Sequence, residues 1–187
     1  MSAARRPVEL QPAVLVHPTA DRRLAIGQWL MSAHDTPSHG QVEWTQHGIT
    51  LLRLGTLFSA VRLPLRLVLA VAGGRQPSQE LDRILEEALE GGPVICDPAG
   101  RRYYALVPAS MPRTWTQAAD DWRVMDVDCL GHGTYLGVPR PDRTEYDPET
   151  NSSYWAVSMP SAGSLCAPLT VARLIAVARH QLAEEQE

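Results

Sequence analysis

Glycine and proline divide the middle of this chain into apolar runs that are short enough to be strands or brief helices. Val94 to Cys96 and Arg101 to Val107 flank the turn Asp97-Pro98-Ala99-Gly100. Two apolar runs on either side of a proline-containing turn that ends in glycine are typical of a β-hairpin. The segment therefore predicts a hairpin within a mainly antiparallel sheet.

Five further apolar runs predict strands of similar length. They are Ile49 to Leu54, Leu57 to Leu63, Val124 to Cys129, Thr134 to Val138 and Tyr154 to Val157. Glycines at 55, 131 and 133 lie between neighbouring runs, as expected for turns. Residues 109–121 predict a polar loop around Trp115, and residues 140–152 are charged and punctuated by proline.

Helix signals flank these strands. We predict helices from Thr19 to about Ser32, from Ser38 to Gly48, from Leu65 to Ala72, from Ser78 to Gly91 and over residues 168–185. Ser38 and Gln41 match a capping box, and Pro64 suits the first turn of the helix that follows it. An apolar stripe that includes Leu81 and Leu85 gives the fourth helix one buried face.

The order of these elements predicts a single α+β domain over residues 18–187, with a mainly antiparallel sheet flanked by helices. Residues 1–17 are expected to be a loose arm that ends in a short strand, Val14 to Val16. The core of the predicted domain is the segment 49–160, and the helix at 168–185 closes it.

Charge and composition exclude several classes of function. The 17 basic residues are all arginine and are outnumbered by 21 acidic ones, which gives a net charge of -4. This balance opposes nucleic-acid coating by bulk charge but allows a local arginine site. Without lysine, Schiff-base and P-loop chemistry are excluded. No apolar run is long enough to span a bilayer and the three cysteines lie far apart, so we expect a cytoplasmic protein without a membrane partner.

Histidine and cysteine offer two weak candidates for chemistry. His34, His39 and His47, with His17 upstream, lack the tight spacing of a metal site, so surface histidines are the favoured interpretation. Cys166 precedes the closing helix, where a thiol can have a depressed pKa, and would need a base such as His132. The alternative is a small residue that only packs, and this is the favoured interpretation.

Acidic and basic clusters are the stronger candidates. Among Asp120, Asp121, Asp126 and Asp128, the last two alternate on a predicted strand, share a face and could hold a divalent cation. The alternative is a solvated edge strand. In the hairpin, Arg101 and Arg102 precede two tyrosines, which combines phosphate-binding forks with stacking faces. An ordinary exposed strand start is the alternative there.

Three segments, taken in order, resemble one known family. They are Leu57 to Pro64, Gly100 to Pro108, and Asp128 to Pro139 with its Gly-x-Gly-x-Tyr pattern at Gly131, Gly133 and Tyr135. Together residues 49–160 resemble the primase/polymerase domain of the archaeo-eukaryotic primase superfamily, particularly its short actinobacterial bifunctional primase/polymerase-like type. Tyr154-Trp155 is similar to the aromatic strand that often follows in such domains.

The resemblance implies a fold with a nucleotide site, and the departures from it concern the catalytic residues. The family's first segment ends in an Asp-x-Asp pair that holds catalytic metals, and Arg62 and Pro64 stand at those positions here. Its second segment carries a histidine that touches the nucleotide's phosphates, and Arg102 stands at that position. Asp128 matches the acidic residue of the third segment, and it is left nearly alone.

Two-metal phosphoryl transfer needs several close carboxylates, and a cation at the metal site opposes metal binding. We therefore expect a non-catalytic protein without a cofactor that binds nucleic acid, a nucleotide or a protein partner. The expected nucleotide or phosphate contacts are Arg62, Arg101, Arg102, Tyr103 and Tyr135. One alternative is an active, Mg²⁺- or Mn²⁺-dependent nucleotidyltransferase using Asp128 with Asp126. Another is a regulatory protein-interaction subunit with a vestigial nucleotide cleft.

Overall fold

The computed structural model describes residues 19–184 and arranges the strands of that segment in two sheets. The strands are β1 (Ile49–Arg53), β2 (Phe58–Pro64), β3 (Val94–Asp97), β4 (Arg102–Pro108), β5 (Asp128–Leu130), β6 (Tyr135–Pro139) and β7 (Tyr154–Val157). The larger sheet has the order β5-β2-β4-β3-β7 with antiparallel neighbours throughout. β1 and β6 form a separate antiparallel pair. The predicted α+β class with a mainly antiparallel sheet is confirmed.

Helices cover both faces of the larger sheet. They are α1 (Thr19–Met31), α2 (Pro37–His47), α3 (Leu65–Ala72), α4 (Gln79–Ala88), α5 (Met111–Thr114), α6 (Thr116–Trp122) and α7 (Pro168–Glu184). None of the helices within residues 19–184 has both the length and the apolar character needed to cross a bilayer.

Two apolar clusters lie on opposite faces of the larger sheet. One joins strand residues such as Leu63 and Tyr103 to α3, α4 and α7, and the other joins Phe58 and Leu106 to α1, α2 and the β1–β6 pair. Successive side chains of a strand point to opposite faces, so a strand covered on both sides is buried at nearly every position. β2 is buried at six of its seven positions, and Arg62 is the exception.

Local sequence signals account for several element ends. The predicted hairpin forms between β3 and β4. Pro64 caps the start of α3, and Gly73 ends it with a left-handed φ of 62°. The hydroxyl of Ser78 accepts a hydrogen bond from the backbone N–H of Leu81, which satisfies one of the free donors at the start of α4.

The predicted capping box at Ser38 is wrong. α2 begins one residue earlier, at Pro37 after Thr36, because proline fits a first helical turn that needs no N–H donor. The predicted polar loop at 109–121 is also wrong, because Met111 and Trp122 are buried and the chain between them forms α5 and α6. The prediction for Val14 to Val16 and the arm falls on residues 1–18, outside the described residues, as do residues 185–187.

The predicted strand Val124 to Cys129 is mostly not a strand. Arg123–Met125 is a 3₁₀ turn, and Asp126 has a left-handed φ of 63°, so only Asp128–Leu130 pairs with β2. Val124 is 83% exposed, whereas Val127 is buried in the core. The apolar run is therefore divided into a 3₁₀ turn and a short strand, and only one of its two valines packs in the core. The prediction that Asp126 and Asp128 alternate on one strand is therefore wrong.

Candidate functional site

Arg62 lies on β2, next to the edge strand β5 of the larger sheet, and meets an acidic residue across the strands. In the strand register it is opposite Tyr104 of β4 on one side and Asp128 of β5 on the other. Its guanidinium forms an ion pair with the Asp128 carboxylate through Nη2 and Oδ2. The antiparallel register of β2 and β5 therefore brings together two residues that are far apart in sequence.

A second ion pair of the same type lies next to the first. The guanidinium of Arg102 is 2.9 Å from the carboxylate of Asp126. Arg102 and Tyr104 are two residues apart on β4 and so point to the same sheet face as Arg62. The left-handed backbone at Asp126 brings the chain into β5 beside them. We call Arg62, Arg102, Tyr104, Asp126 and Asp128 the arginine patch.

The arginine patch is a partly exposed surface. Its four charged side chains are 34% (Arg62), 33% (Asp128), 29% (Arg102) and 45% (Asp126) exposed. Burial raises the pKa of the Tyr104 hydroxyl, Asp97 raises it further, and Arg62 and Arg102 lower it. Asp97 is opposite Arg102 in the β3–β4 register and adds a third carboxylate near the patch.

One donor of Arg62 is left without a partner. Its Nε is buried and makes no hydrogen bond with any described residue. Buried polar groups are usually hydrogen-bonded, and a guanidinium can offer five donors. The pair with Asp128 therefore uses only part of the hydrogen-bonding capacity of Arg62.

The other predicted phosphate contacts lie apart from the patch or at its margin. Tyr103 is fully buried on the opposite face of the sheet, which excludes it as an exposed stacking platform in this conformation. Tyr135 lies on β6, where its hydroxyl donates to Asp35 at 2.9 Å and its ring stacks with Arg53. Arg101 is exposed in the hairpin turn beside Arg102, and its carbonyl accepts a hydrogen bond from the N–H of Leu65.

The histidines do not converge in the described part of the chain. His34 accepts a hydrogen bond from the Thr36 N–H at its Nδ1, and its Nε2 lies 3.6 Å from Glu43. His39 and His47 are exposed on α2. His17 lies outside the described residues. The interpretation as surface histidines at a helix entrance therefore fits His39 and His47, whereas the His34 side chain is only 11% exposed.

Cys166 has the properties of a packing residue. It is buried, and its thiol donates a weak hydrogen bond to the carbonyl of Pro93 at 3.4 Å. Burial raises the pKa of Cys166 to about 12, which leaves almost no thiolate at neutral pH. The suggested base, His132, is exposed in the turn between β5 and β6. A nucleophilic cysteine is accessible and has a lowered pKa, whereas Cys166 is buried and has a raised one.

The carboxylates of the patch do not form a metal site of the catalytic kind. Asp126 and Asp128 each pair with a guanidinium, so both are already neutralised by fixed cations. Within residues 19–184 no group of three or more His, Cys, Asp or Glu side chains is placed to hold a metal ion. Two-metal phosphoryl transfer needs several carboxylates free to coordinate, and this donor set does not fit it.

Sequence reasoning missed a second polar cluster, in which a partly exposed carboxyl of α4 meets buried side chains of the larger sheet. Asp82 on α4 accepts a hydrogen bond from the Tyr154 hydroxyl at 3.1 Å, close to Cys96 and Tyr103. A signal for it existed, because Asp82 precedes Leu85 and Leu89 at helical spacings of three and seven residues. Asp82 is thus a polar residue on the same side of the helix as the apolar stripe.

No family model, curated protein or solved structure matches this chain. The resemblance to primase/polymerase domains therefore depends on the three sequence segments alone.

Proposed function

We propose that this is a non-catalytic binding protein whose arginine patch takes a phosphate-bearing ligand, a nucleotide or a single-stranded nucleic acid, without a metal ion. One observation carries the proposal. Arg62 and Arg102, on neighbouring strands, converge on one partly exposed face beside the ring of Tyr104.

The chemistry of the patch suits a phosphate. Arginine presents a planar fork of N–H donors that matches two phosphate oxygens, and a nearby aromatic face can stack a base. The unpartnered Nε of Arg62 shows that its guanidinium is not saturated by Asp128. Because the Nε is buried, a phosphate would reach the outer nitrogens of Arg62 and would take the place of Asp128 at Nη2.

The two carboxylates set the strength of this binding. Asp126 and Asp128 neutralise Arg102 and Arg62, so the four charged side chains carry no net charge. A phosphate must displace a carboxylate from each arginine before it can bind bidentately. We expect the patch to bind phosphate-bearing ligands with moderate affinity and to prefer those whose phosphate oxygens match the two guanidinium groups. Added salt should weaken this binding strongly.

The same ion pairs count against metal-dependent nucleotidyl transfer. A divalent cation at Asp128 would lie beside the guanidinium of Arg62, and like charges repel. An enzyme would need both aspartates released from their arginines. In this proposal the guanidinium of Arg62 supplies the positive charge that a metal ion supplies in a catalytic site.

Binding should be measured by fluorescence anisotropy with a labelled thymidine oligonucleotide and by calorimetry with ATP, each in EDTA and again in Mg²⁺. Arg62→Gln and Arg102→Gln should each weaken binding about tenfold, because each removes a charge-assisted contact. The matched control is Arg83→Gln, which removes an exposed arginine paired with Glu80 on α4. This control should bind like the wild type.

Salt dependence gives an independent readout. Two phosphate contacts to a single strand predict a slope of about -1.4 for log affinity against log salt, and Arg102→Gln should halve it. Unchanged binding in the Arg62→Gln, Arg102→Gln double variant would overturn the proposal. Binding of neither probe would favour the protein-interaction alternative. Primer extension that needs Mg²⁺ or Mn²⁺ and disappears in Asp128→Ala would establish the enzyme alternative.

A further inference from the structure

Three polar side chains form one row across the larger sheet, on the face opposite the arginine patch. In the strand register Cys96 of β3 is opposite Tyr103 of β4 on one side and Tyr154 of β7 on the other. All three are buried. Asp82 of α4 completes the cluster, since it accepts a hydrogen bond from the Tyr154 hydroxyl at 3.1 Å. A carboxylic acid thus lies at the contact between α4 and β7.

Asp82 has no positive partner among the described residues. The groups that face it are the Tyr154 hydroxyl from β7, the Cys96 thiol from β3 and the Tyr103 hydroxyl from β4, all uncharged at neutral pH. Asp97, the next charge along β3, is negative. α3 contributes apolar residues to the same core. On α4 itself, the exposed Arg83 is held by Glu80 at 2.6 Å, and Glu86 is exposed.

The cluster is also short of hydrogen bonds. The Tyr103 hydroxyl is buried and makes no well-formed hydrogen bond with a described residue, although the Cys96 thiol and the Tyr154 hydroxyl lie beside it, so the row is not a saturated network. A carboxylate in this position keeps one donor, Tyr154, and no cation. Asp82 is only partly buried, but an ionised carboxylate that loses part of its hydration without gaining a cation is less favourable than a neutral carboxylic acid.

We propose that Asp82 is a proton-controlled latch, which holds the first turns of α4 against β7 when it is protonated and loosens them when it is ionised. The latch lies on the other side of the sheet from the arginine patch, so the two proposals stand or fall separately.

The direction of the pH effect follows from burial. Burial raises the pKa of Asp82 to about 7 from an ordinary value of 3.8, and the Tyr154 hydrogen bond lowers it in part. For a raised pKa, the extra stability is fully present below the ordinary value and is lost as the pH rises through the folded-state value. The latch therefore weakens between about pH 4 and pH 7 and changes little above that.

Hydrogen exchange of the α4 amides tests the latch on the full chain. Protection factors for residues 81–88, corrected for intrinsic exchange rates, should fall about tenfold or more from pH 5 to pH 8 and level off above pH 7. Amides of α7 should not follow this curve. In Asp82→Asn the decline should disappear, because the amide is nearly isosteric and does not ionise. Glu86→Gln, on the exposed side of the same helix, is the matched control and should behave like the wild type.

Two outcomes would overturn the proposal. One is protection of α4 in the wild type that does not change with pH. The other is the same decline in Asp82→Asn as in the wild type. If Asp82→Asn fails to fold, ¹³C NMR titration of the Asp82 carboxyl in the wild type decides. A midpoint near 7 supports the latch, and a midpoint near 4 contradicts it.

Discussion

Two tyrosines in the buried row differ in one respect that stability measurements can detect. Tyr103 and Tyr154 are both almost completely buried, but only the Tyr154 hydroxyl makes a well-formed hydrogen bond with a described residue. Replacing each by phenylalanine removes one oxygen atom and keeps the ring. The pair therefore separates the effect of a satisfied hydroxyl from that of an unsatisfied one in nearly the same environment.

The two changes should act in opposite directions. An unsatisfied buried hydroxyl costs about 1–3 kcal/mol, so Tyr103→Phe should raise the free energy of unfolding by about 1 kcal/mol after some loss of packing. Tyr154→Phe should lower it by about 1 kcal/mol at pH 5, where Asp82 is neutral in the folded protein. At pH 8.5 the hydrogen bond is to a carboxylate, and the loss should grow to about 2 kcal/mol.

Urea unfolding at pH 5 and pH 8.5, followed by tryptophan fluorescence, measures these differences. The two variants should differ by about 3 kcal/mol at pH 8.5 and by about 2 kcal/mol at pH 5. At about 2–4 °C per kcal/mol for a chain of this size, their thermal midpoints at pH 8.5 should differ by about 6–12 °C. Equal destabilisation by both substitutions would refute the reasoning, because it would mean that the Tyr103 hydroxyl is satisfied after all.

Two further predictions concern the turns and the thiols. Gly55→Ala should lower the free energy of unfolding, measured in urea, by about 3 kcal/mol or more, because Gly55 has a φ of 90° and a new Cβ would come within 2.5 Å of the His132 Cα. Gly73→Ala, at a φ of 62° with open space around it, should lower it by only about 1 kcal/mol. Similar costs for the two would contradict the close approach of these turns. In the native protein at pH 8, Cys96 and Cys166 should react with iodoacetamide about a thousandfold more slowly than a free thiol, because burial raises the pKa of each to about 12. Fast labelling of Cys166 before unfolding would restore it as a candidate nucleophile.

The parts of the fold that sequence predicts well are those with local causes. Pro98 and Gly100 specify the turn between β3 and β4, and Gly73 ends α3 where a left-handed residue is needed. The pairing partners of the strands are different, because they depend on contacts between distant residues. β1 and β2 are neighbours in sequence, but β1 pairs with β6 whereas β2 joins the larger sheet.

The segment before β5 shows why apolar content alone misleads. Val124 and Val127 looked like members of one strand, but the exposed Val124 belongs to a 3₁₀ turn. The left-handed residue at Asp126 that separates them has no strong local signal, since aspartate is merely tolerated there. The same error placed Asp126 and Asp128 on one strand.

The candidate site was partly predictable. The family resemblance selected Arg62, Arg102 and Asp128, and the structure brings these three to one sheet face. The resemblance could not show that each arginine pairs with an aspartate. The register between β2 and β5, for example, joins Arg62 to a residue 66 positions further along the chain. Tyr103 and Tyr104 are adjacent in sequence but on opposite faces, and the sequence does not show that Tyr103 is fully buried whereas Tyr104 is partly exposed.

The most direct test of the central claim is the affinity of Asp128→Asn for ATP in EDTA, measured by calorimetry. The substitution removes the carboxylate that competes for Arg62 and leaves the side-chain shape nearly unchanged. Binding should become about three- to tenfold tighter, in keeping with the modest strength of a partly exposed ion pair. Glu80→Gln, which breaks the exposed pair with Arg83, is the control and should bind like the wild type. Weaker binding in Asp128→Asn, or binding that appears only with Mg²⁺ and needs Asp128, would contradict a metal-free phosphate site at Arg62.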